Sequence, residues 1–201
     1  MITFWDNVIK PILVYRGAKK LVEIGLQSQG LLTVKLLDYC RTFNGSLALI
    51  DPDPRFNVQL FEAFYQKELV FSRQSSLEAL LEMDACDAVL IDGDHNWFTV
   101  YHELLAIERA SQAAGRFPVV FLHDTEWPYG RRDSYWRPAA IPDVYRQPYA
   151  RKGIDPESSE LVDSGGLNEG QFHAIYENGE RNGVQTAVED FLKAASFPLQ
   201  C

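Results

Sequence analysis

The chain is expected to fold as an α/β protein, a Rossmann-like open and mainly parallel sheet with helices on both faces. Three observations predict this. Apolar runs of strand length alternate five times with segments of helical period. The runs are continuously apolar, as strands covered on both faces must be. Three of them deliver polar residues to their carboxyl ends, where such sheets bind ligands: Glu23 and Gly25, Asp92, and Asp124.

Residues 4–16 carry spaced apolar positions around Pro11 and read as a helical lead-in. Residues 21–25 form the first strand. Apolar residues at 32, 36, 39, 40 and 43 predict a helix over 31–43, stopped by Asn44-Gly45. The second strand spans 46–51 and ends at the hard break Asp51-Pro52-Asp53-Pro54. A short helix over 58–65 and a short strand over 69–71 follow. Residues 76–83 read as a helix with Ser75 or Ser76 as N-cap. The fourth strand covers 88–92, a long helix 99–114 is ended by Gly115, and the fifth strand covers 118–124.

From 125 to 182 the alternation stops. A loop of this length is functional or disordered as a rule. Its aromatic residues, Trp127, Tyr129, Tyr135, Trp136, Tyr145 and Tyr149, argue for order, so it is expected to be a lid or substrate-side insertion. A final helix over 184–195 leaves six residues for one further strand. The expected organisation is a single domain over 1–201, with a nucleotide-binding core at 20–124, the insertion at 125–182, and the last helix and strand at 183–201.

The 201 residues carry a net charge of -9, which argues against general nucleic-acid binding. The charge is uneven. Between Arg131 and Lys152, six basic residues stand against two acids, giving that segment +4 and leaving -13 on the rest. No apolar run approaches the roughly 20 residues that span a bilayer, and the first residues lack the basic start of a signal peptide. A cytoplasmic protein is expected. Cys40, Cys86 and Cys201 show no CxxC spacing and read as reduced thiols.

Glu23-Ile24-Gly25 with Gly30 is a strand, turn and helix start suited to a nucleotide. Gln27 fills the place where a dinucleotide fingerprint has its second Gly, and no Gly-Lys-Ser/Thr follows, so a pyrophosphate or a P-loop does not fit. A sulfonium cofactor does: Glu23 suits its cationic end, and Asp51 at the next strand end suits ribose hydroxyls. Asp92 and Asp124 offer oxygen ligands for Mg²⁺, Mn²⁺ or Ca²⁺. If His123 also reaches the ion, Mn²⁺ or Zn²⁺ becomes more favourable. His123 and Asp124 should point to opposite faces unless the strand has already ended, which favours Asp124 as the partner of Asp92. Asp92 can equally cap the following helix, and His95 can bond a loop carbonyl.

Val22-Glu23-Ile24-Gly25 with Gly30, Leu49-Ile50-Asp51-Pro52, Ile91-Asp92-Gly93-Asp94-His95 and Phe121-Leu122-His123-Asp124 together resemble the class I S-adenosylmethionine-dependent methyltransferases over about residues 20–124. The branch most similar has the I-D-G-D-H signature of metal-dependent O-methyltransferases that tailor macrolide sugars. The resemblance implies Glu23, Gly25, Gln27, Gly30, Asp51 and Asp92 around S-adenosylmethionine, with Gln74, Ser75 and Ser76 at its adenine. It implies Mg²⁺ or Mn²⁺ on Asp92, His123 and Asp124. His95 stands where many relatives carry a basic Lys, and would take the proton of an acceptor hydroxyl. Asp94 would orient it or add a ligand. Two departures are Gln29, where the family often has Gly, and too little chain after Ala195 for two closing strands.

The activity so implied is metal-assisted O-methylation of a small molecule, anionic, sugar-like or aromatic given the Arg and aromatic residues after Asp124. No nucleic-acid or membrane partner is expected, and self-association stays open. The other readings are a metal-dependent hydrolase using Asp92, His123 and Asp124, and a non-catalytic binding domain.

Overall fold

The computed structural model describes residues 1–26 and 30–199. Gln27, named above for the cofactor, lies outside the described residues, as does Cys201. The chain forms two compact units. One comprises 1–93 and 106–123, the other 94–105 and the chain from Asp124 on. Among the described residues no helix is long and apolar enough to cross a membrane.

The first unit opens with a 3-10 turn (Ile2–Phe4), a π-helical turn (Trp5–Ile9) and helix α1 (Lys10–Arg16). Gly17 ends α1 at φ 59°, a left-handed cap that glycine adopts without strain. Five strands follow: β1 (Lys20–Ile24), β2 (Ser46–Ile50), β3 (Leu69–Ser72), β4 (Ala88–Ile91) and β5 (Val119–Leu122). They form one parallel sheet in the order β3-β2-β1-β4-β5, the expected open α/β architecture. All four residues of central β4 are buried, whereas edge strand β5 is only partly covered. Burial on both faces explains why β4 lacks alternation.

Helix α2 (Leu31–Phe43) buries Leu32, Thr33, Leu36, Leu37, Tyr39 and Cys40, one stripe of helical period. Leu36 and Leu37 are fully buried beside Leu47 and Leu49 of β2 in the core cluster. Truncating Leu36 to Ala would cost about 2–5 kcal/mol. Helix α3 (Val58–Phe64) precedes β3, and α4 (Ser76–Ala79) follows it. Ser75 caps α4 through a reciprocal box with Glu78, as its sequence suggests. Helix α4 is shorter than expected because Leu81 and Glu82 bond three residues back, a tighter turn. Helix α5 (Trp97–Ser111) starts two residues early, since Asn96 Oδ1 accepts the Thr99 amide at 2.9 Å.

In the second unit, residues 125–182 are ordered. Strands β6 (Ser134–Tyr135), β7 (Tyr149–Arg151) and β10 (Phe172–Ala174) form an antiparallel sheet in the order β6-β10-β7. Strands β8 (Gly153–Ile154) and β9 (Leu161–Val162) form a two-stranded ribbon. Helix α6 (Val184–Ala194) closes the described chain. Asp133 organises this unit. Its Oδ1 accepts the amides of Trp97 and Gly183, each at 2.7 Å, and its Oδ2 the Tyr135 hydroxyl at 2.8 Å. One carboxyl thus serves the N-termini of α5 and α6 together. Burial pushes its pKa up to about 6. The strand expected from Ser196 is absent among the described residues 196–199. Pro198 contributes no amide to a ladder there.

Candidate functional site

The carboxyl edge of the parallel sheet carries four of the residues singled out in the sequence. Register places Ile24 beside both Ile50 and Ile91, Ile50 beside Ser72, and Ile91 beside Leu122. The ladder runs one rung further through Gly25 N to Ile50 O (3.0 Å), Asp51 N to Ser72 O (3.1 Å), Asp92 N to Ile24 O (2.8 Å) and His123 N to Ile91 O (3.0 Å). Gly25, Asp51, Asp92 and His123 are therefore level on one rim. Strand order reverses between β1 and β4, the switch point where open α/β sheets bind ligands.

Gly25 lies at that reversal with φ 77°, and a Cβ there would sit 2.3 Å from the Asp92 carbonyl oxygen. Only glycine fits both the left-handed backbone and the close approach. Gly30 opens α2 at φ 61°, with the Phe56 and Phe61 rings just over 3 Å from where its Cβ would be.

Glu23 is buried in β1. Its Oε2 accepts the Thr33 hydroxyl at 2.9 Å, and its Oε1 has no hydrogen-bond partner among the described residues. Burial, reinforced by the charges of Asp92 and Asp51, raises its pKa to about 8 despite the Thr33 bond. Without a cation it is an acid held neutral; a cationic ligand would draw out its charge. Thr33 had no distinguishing signal in the sequence beyond its place on the buried stripe of α2.

Asp51 holds the turn itself. Its Oδ2 accepts the Leu26 amide at 2.8 Å and its Oδ1 the Asp53 amide at 2.7 Å. Each oxygen keeps a further lone pair for a hydroxyl. Beyond β3, the exposed Gln74 accepts the Ser72 hydroxyl at 2.9 Å. The Ser75 hydroxyl is occupied by its capping box, and Ser76 is the first residue of α4.

Within the first unit, the group facing the Asp92 carboxylate is the His123 imidazole, with Nδ1 3.3 Å from Oδ1. Asp92 and His123, two of the three residues expected to hold a cation, thus come together at this rim. Strand β5 ends at Leu122, so strict strand alternation no longer governs the next two residues. Two ligand atoms each about 2.1 Å from one ion at nearly right angles lie about 3 Å apart, so this pair has the spacing of adjacent ligands. The Met1 α-ammonium lies 4.0 Å from Asp92 Oδ2.

In the second unit, Asp124 takes φ 55°, a left-handed conformation that Asp tolerates better than most residues. Its Oδ2 lies 3.3 Å from His95 Nε2. The His95 ring stacks on Tyr129, with centroids 5.6 Å apart and planes at 11°. Asp94 is engaged by its neighbours in this unit. Its Oδ1 accepts the Trp136 amide at 2.9 Å and its Oδ2 the Thr99 hydroxyl at 3.3 Å. Burial raises its pKa, against the pull of these bonds and of His95. Its role in this unit is to anchor the start of α5 to the chain after β6.

His102 packs among Trp97, Phe98, Tyr101 and Tyr145, its Nδ1 bonding the Phe98 carbonyl at 2.7 Å. Cys40 and Cys86 are buried free thiols, pushed up to about 12 and about 11 by desolvation. Of the basic segment, Arg131 is paired with Glu189, Lys152 with Asp163, and Arg132 is buried against the Ala174, Ile175 and Ser159 carbonyls. These three therefore serve the unit's own packing.

No family model matches the chain, and no curated protein matches it. Among solved structures it is similar to one from Klebsiella pneumoniae described provisionally as an O-methyltransferase. The two are 20% identical, the match covers 51% of this chain and 48% of that one, and the TM-score is 0.39. The chain spans about half the length of that protein.

Proposed function

We propose that the protein is an S-adenosylmethionine-dependent methyltransferase that methylates a hydroxyl of a small molecule with the help of a divalent cation. The observation that carries this reading is Glu23: a buried carboxyl with one oxygen lacking a donor among the described residues, on the strand that leads into the Gly25 turn. A buried acceptor left without a donor is costly. An ammonium or sulfonium ligand supplies a positive partner that draws out the charge of Glu23, whereas a phosphate-bearing nucleotide would gain nothing from a neutral Glu23 and would be repelled by the carboxylates of Asp51 and Asp92.

In this reading Glu23 pairs with the cationic amino-acid end of the cofactor, Asp51 accepts its ribose hydroxyls, and Gly25 and Gly30 keep the turn open to it. Gln27 belongs to the same turn by sequence. Gln74, Ser75 and Ser76 follow β3 and would border the base. Asp92, His123 and Asp124 would hold Mg²⁺ or Mn²⁺. The basis is the 3.3 Å spacing of Asp92 and His123 and the covalent continuity of His123 with Asp124. A bound cation would lower the pKa of the acceptor hydroxyl.

His95 takes the hydroxyl proton at Nε2, and Asp124 beside that nitrogen stabilises the imidazolium that results. S-adenosylmethionine, held at Glu23, Gly25 and Asp51, would supply the methyl group for that oxygen. Positioning of the two substrates supplies most of the acceleration. The acceptor class is small and anionic, sugar-like or aromatic.

Calorimetry with S-adenosylhomocysteine, with and without Mn²⁺, tests the reading. Micromolar binding that Glu23→Gln weakens at least tenfold supports it. No binding by the wild-type chain refutes it, and metal-dependent ester cleavage in its place would establish the hydrolase.

A further inference from the structure

We propose that Tyr129 and His173 are positioning residues for His95, fixing the plane of its imidazole through a stack of three rings. The inference deepens the reading of His95 as the base and rests on it.

The stack lies wholly within the second unit. The Tyr129 ring is near-parallel to both histidine rings, its centroid 5.6 Å from that of His95 at 11° and 5.7 Å from that of His173 at 22°. Tyr129 and His173 are buried, while the side chains of His95 and Asp124 retain about a fifth of their exposure, at 20% and 23%. The accessible end of the stack is thus the one that bears the proposed base.

Tyr129 is itself pinned. Its hydroxyl receives a hydrogen bond from Asn168 Nδ2 at 2.6 Å and lies 3.2 Å from both Gln171 Oε1 and His173 Nε2. His173 Nδ1 stands 2.7 Å from the Lys152 carbonyl, which can only accept. That nitrogen therefore carries the proton, and Nε2 presents a lone pair to the phenol. Burial lowers the pKa of His173, which keeps this neutral tautomer in place. The same strands hold the backbone of His95. Its carbonyl accepts the Ser134 amide at 2.9 Å, and Ser134 pairs with His173 across β6 and β10.

Within this unit His95 is held by its carbonyl to Ser134, its ring edge to Asp124 and its near-parallel packing with Tyr129. The ring face matters because χ2 of a histidine is a broad, soft torsion. A single edge contact leaves the ring free to tilt, and a tilted base loses reach to the proton it must take. Packing against a buried, hydrogen-bonded phenol removes that freedom.

The test is NMR of the full chain with ring-labelled histidine, alongside calorimetry with S-adenosylhomocysteine. In the wild type, nuclear Overhauser contacts between the His95 and Tyr129 ring protons are expected, with the His95 ring protons shifted upfield by the phenol. Tyr129→Phe should retain that shift and Tyr129→Leu should abolish it. His173→Ala should move the His95 resonances by loosening the Tyr129 ring that it supports. Absence of the wild-type contacts overturns the proposal without any variant. So does an unchanged His95 spectrum in Tyr129→Leu. If the contacts are present but S-adenosylhomocysteine does not bind, the transferase reading fails and the stack stands. If it binds without the contacts, the positioning role alone falls.

Discussion

Replacing Glu23 by Gln should make the protein more stable than the wild type at alkaline pH, by an amount that grows with pH. Glu23 is 1% exposed, its only hydrogen bond among the described residues is from Thr33, and the charges nearest in effect are the like-signed Asp92 and Asp51. Its pKa is about 8 in the folded state, against 4.5 for the unperturbed group. The folded protein therefore binds this proton more tightly than the unfolded chain. The resulting stabilisation is fully present below pH 4.5 and is lost as pH rises through 8. A tenfold difference in proton affinity between the two states is worth about 1.4 kcal/mol. The wild type should thus lose roughly 4 kcal/mol from this residue between pH 5 and pH 9. Gln keeps the shape and an acceptor for Thr33 but does not titrate. Guanidinium unfolding followed by tryptophan fluorescence at pH 5, 7 and 9 would measure both proteins. The difference between them should widen by roughly 4 kcal/mol over that range. A difference that stays constant within about 1 kcal/mol would refute the reasoning, because it would mean that Glu23 already has a cationic or donor partner.

Gly25→Ala should destabilise the first unit by about 3 kcal/mol or more, since it adds a backbone clash to a left-handed φ; a drop in thermal midpoint of many degrees checks this. Asp133→Ala leaves the Trp97 and Gly183 amides and the Tyr135 hydroxyl without their acceptor, at a cost of about 3 kcal/mol or more, and limited proteolysis should find cleavage within 125–183 accelerated. Asp92→Asn should abolish Mn²⁺ binding seen by electron paramagnetic resonance, and unchanged binding would remove Asp92 from the ligands. His95→Ala should cut methyl transfer from labelled cofactor to a screened acceptor by roughly 100-fold, with affinity for S-adenosylhomocysteine similar; unaltered transfer would exclude His95 as the base.

The five parallel strands were legible because each is an apolar run bounded by Gly, Pro or a charge, and helix α2 because its buried stripe repeats at helical spacing. The polar rim followed from those strands. Once β1, β2, β4 and β5 are in register, the residue after each end must appear on one edge. Less legible were the consequences of ending a strand early. One of them is that His123 Nδ1 comes within 3.3 Å of Asp92 Oδ1, since β5 stops at Leu122. Helix α4 is shorter than its pattern suggests because the residues after it keep helical polarity while bonding three residues back.

Local pattern alone determined the sheet, its open parallel character and the positions that terminate its strands. Those features depend on neighbours a few residues apart and on burial of both faces. Tertiary structure decided the protonation of Glu23, the engagement of Asp94 by Trp136 and Thr99, and the stacking of His95, Tyr129 and His173. These depend on groups that approach one another only after folding. Tyr129 and His173 are 34 and 78 residues from His95 in the chain, and neither periodicity nor motif spacing carries information over such a separation.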